Sequence, residues 1–108
     1  MSDYKTEFPD FESEIPSVFL ASPWTDQSWH NDATPSFARS FDNGREIHVF
    51  VDELDPAKRW EGGPDCPRFS VHTTDHDGSF DTDGPCFASD SLVAVLDHVG
   101  FLVGEVSR

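Results

Sequence analysis

The chain has 108 residues, the size of one domain, and its 21 Asp and Glu outnumber its seven Lys and Arg, which gives a formal charge of −14. This charge repels nucleic acid and anionic membranes and attracts basic protein surfaces, although an acidic surface that only keeps the protein soluble fits the composition equally well. With two cysteines, no apolar run of membrane-spanning length and no visible secretory signal, the sequence predicts a single cytoplasmic domain, residues 1–108, with reduced thiols.

The first third of the chain predicts mostly irregular structure. Residues 1–14 are acidic and contain several aromatic residues, and we expect a flexible or extended arm there. Ser17 after Pro16 favours one helical turn that would carry residues 18–20 into the core, with a short strand as the alternative. Residues 22–35 are rich in turn formers, so we expect an ordered loop whose two Trp side chains cover one edge of a sheet.

The strongest structural signal is a pair of alternating segments, residues 36–41 and 45–52, that flank Asn43-Gly44. In the second segment three β-branched residues share one face: Ile47, Val49 and Val51. This period of two predicts a strand packed against a core. Asn-Gly provides the positive φ angles of a two-residue type I′ turn, and such a turn would place Phe37 opposite Phe50.

Shorter elements follow this hairpin. Asp55 is predicted to cap one helical turn at residues 56–59, because Pro56 suits the first helical position. Alternation predicts a third strand at residues 67–74, and Asp77-Gly78 predicts a second hairpin turn that leads into a strand at residues 79–82.

The C-terminal segment has the longest helical pattern, with an apolar stripe formed by Leu92, Val93, Val95, Leu96, Val99, Leu102 and Val103. Ser89 or Asp90 would cap this helix, and Gly100 and Gly104 would end it early or turn it into a strand. The predicted fold is therefore α+β, a small antiparallel sheet of four to five strands with one C-terminal helix packed on one face.

Common catalytic motifs are absent, because the chain has no Gly-rich phosphate loop, nucleophile elbow or paired zinc-ligand motif. We therefore expect no enzymatic activity, no cofactor and no bound metal. The acids between Asp75 and Asp83 offer a calcium-binding or hydrolytic alternative, but their spacing departs from the EF-hand loop and Asp-Gly pairs are common in turns. Four residues that could ligate zinc are too scattered for a typical site: Cys66, Cys86, His72 and His76.

The acids recur at the solvent turns of the predicted sheet. The hairpin tips at Asp42 and Asp77 would lie near one edge, and the corner from Asp52 to Asp55 would lie at the other. Duplex DNA carries one negative charge per ~1.7 Å of its axis. A rigid surface with carboxylates at a similar spacing could therefore occupy a nucleic-acid channel in a basic protein.

The acids predicted to contact basic side chains of a partner are Glu46, Asp52, Glu53, Asp55, Asp75, Asp77, Asp81 and Asp83. Trp60 or Trp24 would add an aromatic anchor, since Trp is enriched at interface hot spots, but packing at the edge of the sheet is the favoured alternative for each of them. In this interpretation, reversing Asp52, Glu53 and Asp55 to Lys abolishes binding and leaves the fold intact.

Three segments carry a resemblance to known proteins: Ser28-Trp29-His30-Asn31-Asp32, Pro35-Ser36-Phe37 and Cys66-Pro67-Arg68-Phe69. They are similar to segments of small acidic proteins from phages and mobile elements, and the size, acidity and strand-rich pattern resemble phage anti-CRISPR proteins that act on type I-C systems. The resemblance implies a DNA-mimicking inhibitor that blocks target DNA or PAM binding by a type I Cascade complex. Its partner would be the large Cascade subunit, with no direct binding to nucleic acid or membrane. An antitoxin or immunity protein that neutralises a basic toxin is the other interpretation.

Overall fold

The computed structural model describes residues 3–59 and 67–107, in which five strands form one antiparallel sheet. The strands are β1 (Trp24–Asp26), β2 (Ser36–Ser40), β3 (Glu46–Val51), β4 (Phe69–Thr73) and β5 (Phe87–Ser89). They pair in chain order, so the sheet is a meander. One short helix, α1 (Tyr4–Glu7), precedes the sheet, and a 15-residue helix, α2 (Leu92–Val106), follows it. The predicted α+β fold is confirmed.

The core lies between α2 and one face of the sheet. Alternation along the strands brings six fully buried side chains to this face: Phe37, Ile47, Val49, Val51, Phe69 and Val71. The helix adds Val95, Val99, Leu102 and Val106, which recur at helical spacing. The other face of the sheet has no helix over it in the described part of the chain, and β3 and β4 present aromatic and histidine side chains there.

The register of the β2–β3 hairpin differs from the predicted one by one residue. Three residues form the loop, because Phe41 N donates to Arg45 O at 3.0 Å and Gly44 N donates to Phe41 O at 3.0 Å. Of these three loop residues, only Gly44 has a positive φ, +87°, so the predicted type I′ turn with Asn43 also at positive φ is wrong. Phe37 consequently pairs with Val49 instead of Phe50 and points into the core, since a one-residue slip exchanges the two faces of a strand.

Gly44 and Gly78 provide a matched test of this loop, because both have a φ of +87°. A Cβ at Gly44 would lie 3.2 Å from His76 O, whereas a Cβ at Gly78 would meet nothing within 4 Å. We expect Gly78→Ala to lower the free energy of unfolding by about 1 kcal/mol through backbone strain alone, and Gly44→Ala by about 2 kcal/mol. Urea unfolding of both variants measures the difference, and equal losses would contradict the close packing at Gly44.

The helix α2 departs from its prediction at both ends. Ser91, rather than Ser89 or Asp90, caps it, with the Ser91 Oγ accepting from Ala94 N at 3.2 Å. The helix also continues through Gly100 and Gly104 to Val106. Each glycine costs about 1 kcal/mol relative to alanine, which burial of the apolar side chains in the last two turns offsets.

Other local predictions have mixed outcomes. A 3₁₀ turn forms at Ser17–Leu20, but only its Phe19 is buried. A second one forms at Pro56–Lys58 with Asp55 as its cap, as predicted. The predicted strand at residues 79–82 is wrong, because this segment forms only an isolated bridge from Phe80 to Thr74, and β5 supplies the last strand instead.

Candidate functional site

The two hairpin tips meet at one end of the sheet. His76 Nδ1 donates to Asn43 O at 2.7 Å, which joins the turn after β4 to the loop between β2 and β3. Asn43 Nδ2 in turn donates to Val106 O at 2.6 Å, so the last turn of α2 reaches the same place. The end of the helix adds its own partial negative charge there. We call this surface the acidic tip and define it by the four acids that the two tips carry: Asp42, Asp75, Asp77 and Asp81.

The four acids of the acidic tip are held differently. Asp75 Oδ1 accepts from Asp77 N at 2.8 Å and from Ser79 N at 3.1 Å, so this carboxylate shapes its own turn. Asp81 Oδ2 accepts from Arg45 Nη2 at 3.0 Å and from Thr73 Oγ1 at 2.7 Å. Asp42 and Asp77 are exposed, and neither side chain has a hydrogen bond or ion pair within the described residues. These two carboxylates are therefore the ones available to a partner.

The described cations are largely occupied inside the molecule. Arg59 contacts Asp90 at 2.7 Å and the Glu53 carbonyl at 2.9 Å. Arg68 donates to the carbonyls of residues 52 and 14, and Lys58 pairs with Glu12 at 2.5 Å. The guanidinium of Arg39 lies 5.6 Å from the centre of the Phe41 ring. Arg59, Arg68 and Lys58 therefore leave the negative charge of the acidic tip in place, whereas Arg45 offsets the charge of Asp81, with which it pairs.

The corner predicted at Asp52 to Asp55 is not a surface of three acids. Asp52 and Glu53 are each only 2% exposed. Glu53 accepts from Glu12 N at 3.0 Å, Ser13 N at 2.9 Å and Ser13 Oγ at 2.6 Å. Asp52 and Glu53 are therefore not accessible for the predicted contacts with a partner, because their carboxylates accept hydrogen bonds from the chain's own backbone. Reversing them to Lys would not leave the fold intact, and only Asp55 remains exposed at this corner.

Glu46 lies on the uncovered face of the sheet, outside the acidic tip. Its carboxylate accepts from Ser40 Oγ at 2.7 Å and contacts His48 Nε2 at 2.9 Å. Partial burial would raise the pKa of Glu46, but the hydrogen bonds from Ser40 and His48 outweigh this effect and lower the pKa. The ionised Glu46 carboxylate therefore accepts hydrogen bonds from Ser40 and His48 within the protein.

The same face carries an aromatic cluster that the sequence analysis missed, which we define as His48, Phe50, His72 and Phe80. His72 is the central ring, with its centroid 5.2 Å from Phe50 and 5.0 Å from Phe80. Burial, followed by the nearby His48, lowers the pKa of His72, so its imidazole is neutral at pH 7. Alternation places residues 48, 50 and 72 on the outward face, and this pattern was the signal available in the sequence.

A surface cavity becomes a candidate ligand site when polar groups converge in it. One cavity of about 490 Å³ is lined by three rings of the aromatic cluster, Phe50, His72 and Phe80. Asp32 and Asp83 also line this cavity. Asp83, one of the predicted partner contacts, thus lies beside the aromatic cluster and not in the acidic tip.

The metal alternatives gain no support from the described residues, where no three His, Cys, Asp or Glu side chains are grouped so that they could hold an ion. Cys86 is an exposed free thiol, whereas Cys66 lies outside the described residues. Of the two predicted aromatic anchors, Trp24 is buried and Trp60 is also outside the described residues.

Within the described part of the chain, neither helix has the length and apolar character needed to cross a membrane. Comparison with known proteins found no matching family model, no matching curated protein and no matching solved structure.

Proposed function

We propose that this protein is a non-enzymatic binding protein that docks its acidic tip onto a basic surface of a partner protein. In its specific form, the proposal is a DNA-mimicking anti-CRISPR inhibitor that occupies the site where a type I Cascade complex binds target DNA or its PAM. The observation that supports docking is the junction of the two hairpins through His76 and Asn43, which joins the loop that carries the exposed Asp42 to the turn that carries the exposed Asp77.

Rigidity matters for mimicry because DNA presents its charges at fixed separations. Carboxylates on a preorganised surface lose little conformational freedom when they bind, so more of the electrostatic attraction appears as affinity. The contact between the loop at Gly44 and the turn at His76 supplies this preorganisation. The surface contains fewer acids than the eight predicted from the sequence. Asp52 and Glu53 are buried, and Glu46 is hydrogen-bonded to its neighbours.

Charge reversal at the tip tests the proposal. We expect the double variant Asp42→Lys/Asp77→Lys to weaken inhibition of target DNA binding by purified type I-C Cascade by about 100-fold, because two attractions become repulsions. The control is Asp10→Lys/Asp97→Lys, which changes the net charge equally at exposed sites on other surfaces. A gel-shift assay measures inhibition, and the inhibition should also fall steeply as salt is added.

Equal inhibition by the tip variant and the wild type would overturn docking through the acidic tip. Absence of inhibition by the wild-type protein would overturn the Cascade form of the proposal. A pull-down from the host would then decide the class of partner, since recovery of a basic nuclease toxin would replace the anti-CRISPR form by an antitoxin or immunity protein.

A further inference from the structure

The aromatic cluster is unusual because large apolar side chains stay accessible on a strongly acidic protein. Phe80 is 47% exposed, and its ring lies 5.4 Å from His48 and 6.4 Å from Phe50. Phe80, Phe50 and His72 form the floor of a cavity of about 490 Å³ on the face of the sheet opposite α2. A cavity floor of aromatic rings binds either an apolar group or a cation that lies over the faces of the rings.

The charges around the cavity favour a cation. Asp32 and Asp83 both line it, and the described lining residues include no Lys or Arg. The central His72 is neutral at pH 7, so the floor does not repel a positive charge. Aromatic faces and carboxylates are the two groups that attract a guanidinium, which stacks on rings and donates in pairs to carboxylate oxygens.

We propose that the cavity over the aromatic cluster receives an arginine side chain of the basic partner, stacked on Phe80 and paired with Asp83 or Asp32. This inference rests on the proposed function and names the side chain that the partner inserts beside the acidic tip. The two surfaces are continuous, because Phe80 bridges to Thr74 immediately across the turn that carries Asp77. Arginine is favoured over lysine, whose ammonium is more strongly hydrated and cannot stack as a plane.

Binding of N-acetyl-argininamide, followed by ¹H–¹⁵N NMR of the intact chain, tests this site. We expect shifts centred on the amides of Phe50, His72 and Phe80. The Phe80→Ala variant should bind this probe about fivefold more weakly, as expected for loss of one cation–π contact. Phe101→Ala is the matched control, because Phe101 is 63% exposed on α2 and should leave the affinity unchanged.

Two further comparisons separate charge from shape. The Asp83→Asn variant should also weaken binding, and N-acetyl-citrullinamide, the neutral counterpart of the probe, should bind more weakly than N-acetyl-argininamide. Equal binding of the two probes, or equal affinity of the Phe80→Ala and Phe101→Ala variants, would overturn the arginine site.

The outcomes also distinguish this inference from the proposed function. If the tip reversal abolishes Cascade inhibition while the cavity variants leave both inhibition and probe binding unchanged, docking stands and the arginine site fails. If the probe binds in the cavity while the tip reversal has no effect, the arginine site stands and docking through the acidic tip fails.

Discussion

Phe37→Ala is expected to lower the free energy of unfolding by about 3 to 5 kcal/mol, the largest effect of any single substitution considered for this protein. The Phe37 side chain is 0% exposed in the β2–β3 register of the structure. Its ring stacks 6.0 Å from Phe19 and lies 6.3 Å from Tyr4, so truncation leaves a cavity between the sheet and the N-terminal segments. Chemical denaturation followed by tryptophan fluorescence measures the loss.

Phe101→Ala provides the reference for this substitution, because an exposed Phe on α2 should change the free energy of unfolding by no more than about 0.5 kcal/mol. The comparison also tests the register. The two-residue turn predicted from Asn43-Gly44 would put Phe37 on the uncovered face, opposite Phe50, where truncation would cost little. A loss below about 1 kcal/mol would therefore contradict the three-residue loop.

Glu53→Gln is expected to lower the free energy of unfolding by about 2 to 3 kcal/mol, although the side chain keeps its shape. The carboxylate uses both oxygens, with Oε2 accepting from Glu12 N and Oε1 from Ser13 N and Ser13 Oγ. An amide must turn its NH₂ group toward one of these donors, so a partly buried donor loses its acceptor. Ser13 Oγ also accepts from Leu54 N at 2.7 Å, which ties the N-terminal segment to the end of β3.

Glu14→Gln is the control for this change, since it removes the same charge one residue away from the bound Ser13 but at an exposed side chain. We expect it to alter stability by less than about 0.5 kcal/mol. Thermal unfolding compares the two variants, and equal melting temperatures would contradict a structural role for Glu53. The same result would restore Glu53 as a candidate contact for a partner.

The two kinds of acid in this chain therefore have different roles in the structure. Glu53 and Asp52 are buried and stabilise the fold, whereas Asp42 and Asp77 are exposed at the surface. Reversal of a buried acid would reduce binding by unfolding the protein, and reversal of an exposed tip acid tests the interface alone. A test of the proposed function should therefore substitute the exposed acids of the acidic tip and include a stability measurement on each variant.

The sequence by itself determined the fold class, the inward face of β3 and most of the apolar stripe of α2, although Val93, predicted in that stripe, is 70% exposed. These features follow from local periodicity, because a strand or helix with one apolar face buries that face wherever it lies. The capping of the Pro56–Lys58 turn by Asp55 was equally predictable, since the cap and the first N–H groups are neighbours in the chain.

Only the tertiary structure decided the features that bear on the candidate site. The loop length at Gly44 depends on packing against His76, and one residue of register moves Phe37 from one face of the sheet to the other. Glu53 is buried because residues 12 and 13 return to it across 41 and 40 positions of sequence. The acidic tip and the aromatic cluster also join residues from separate hairpins, and local periodicity carries no information about such long-range contacts.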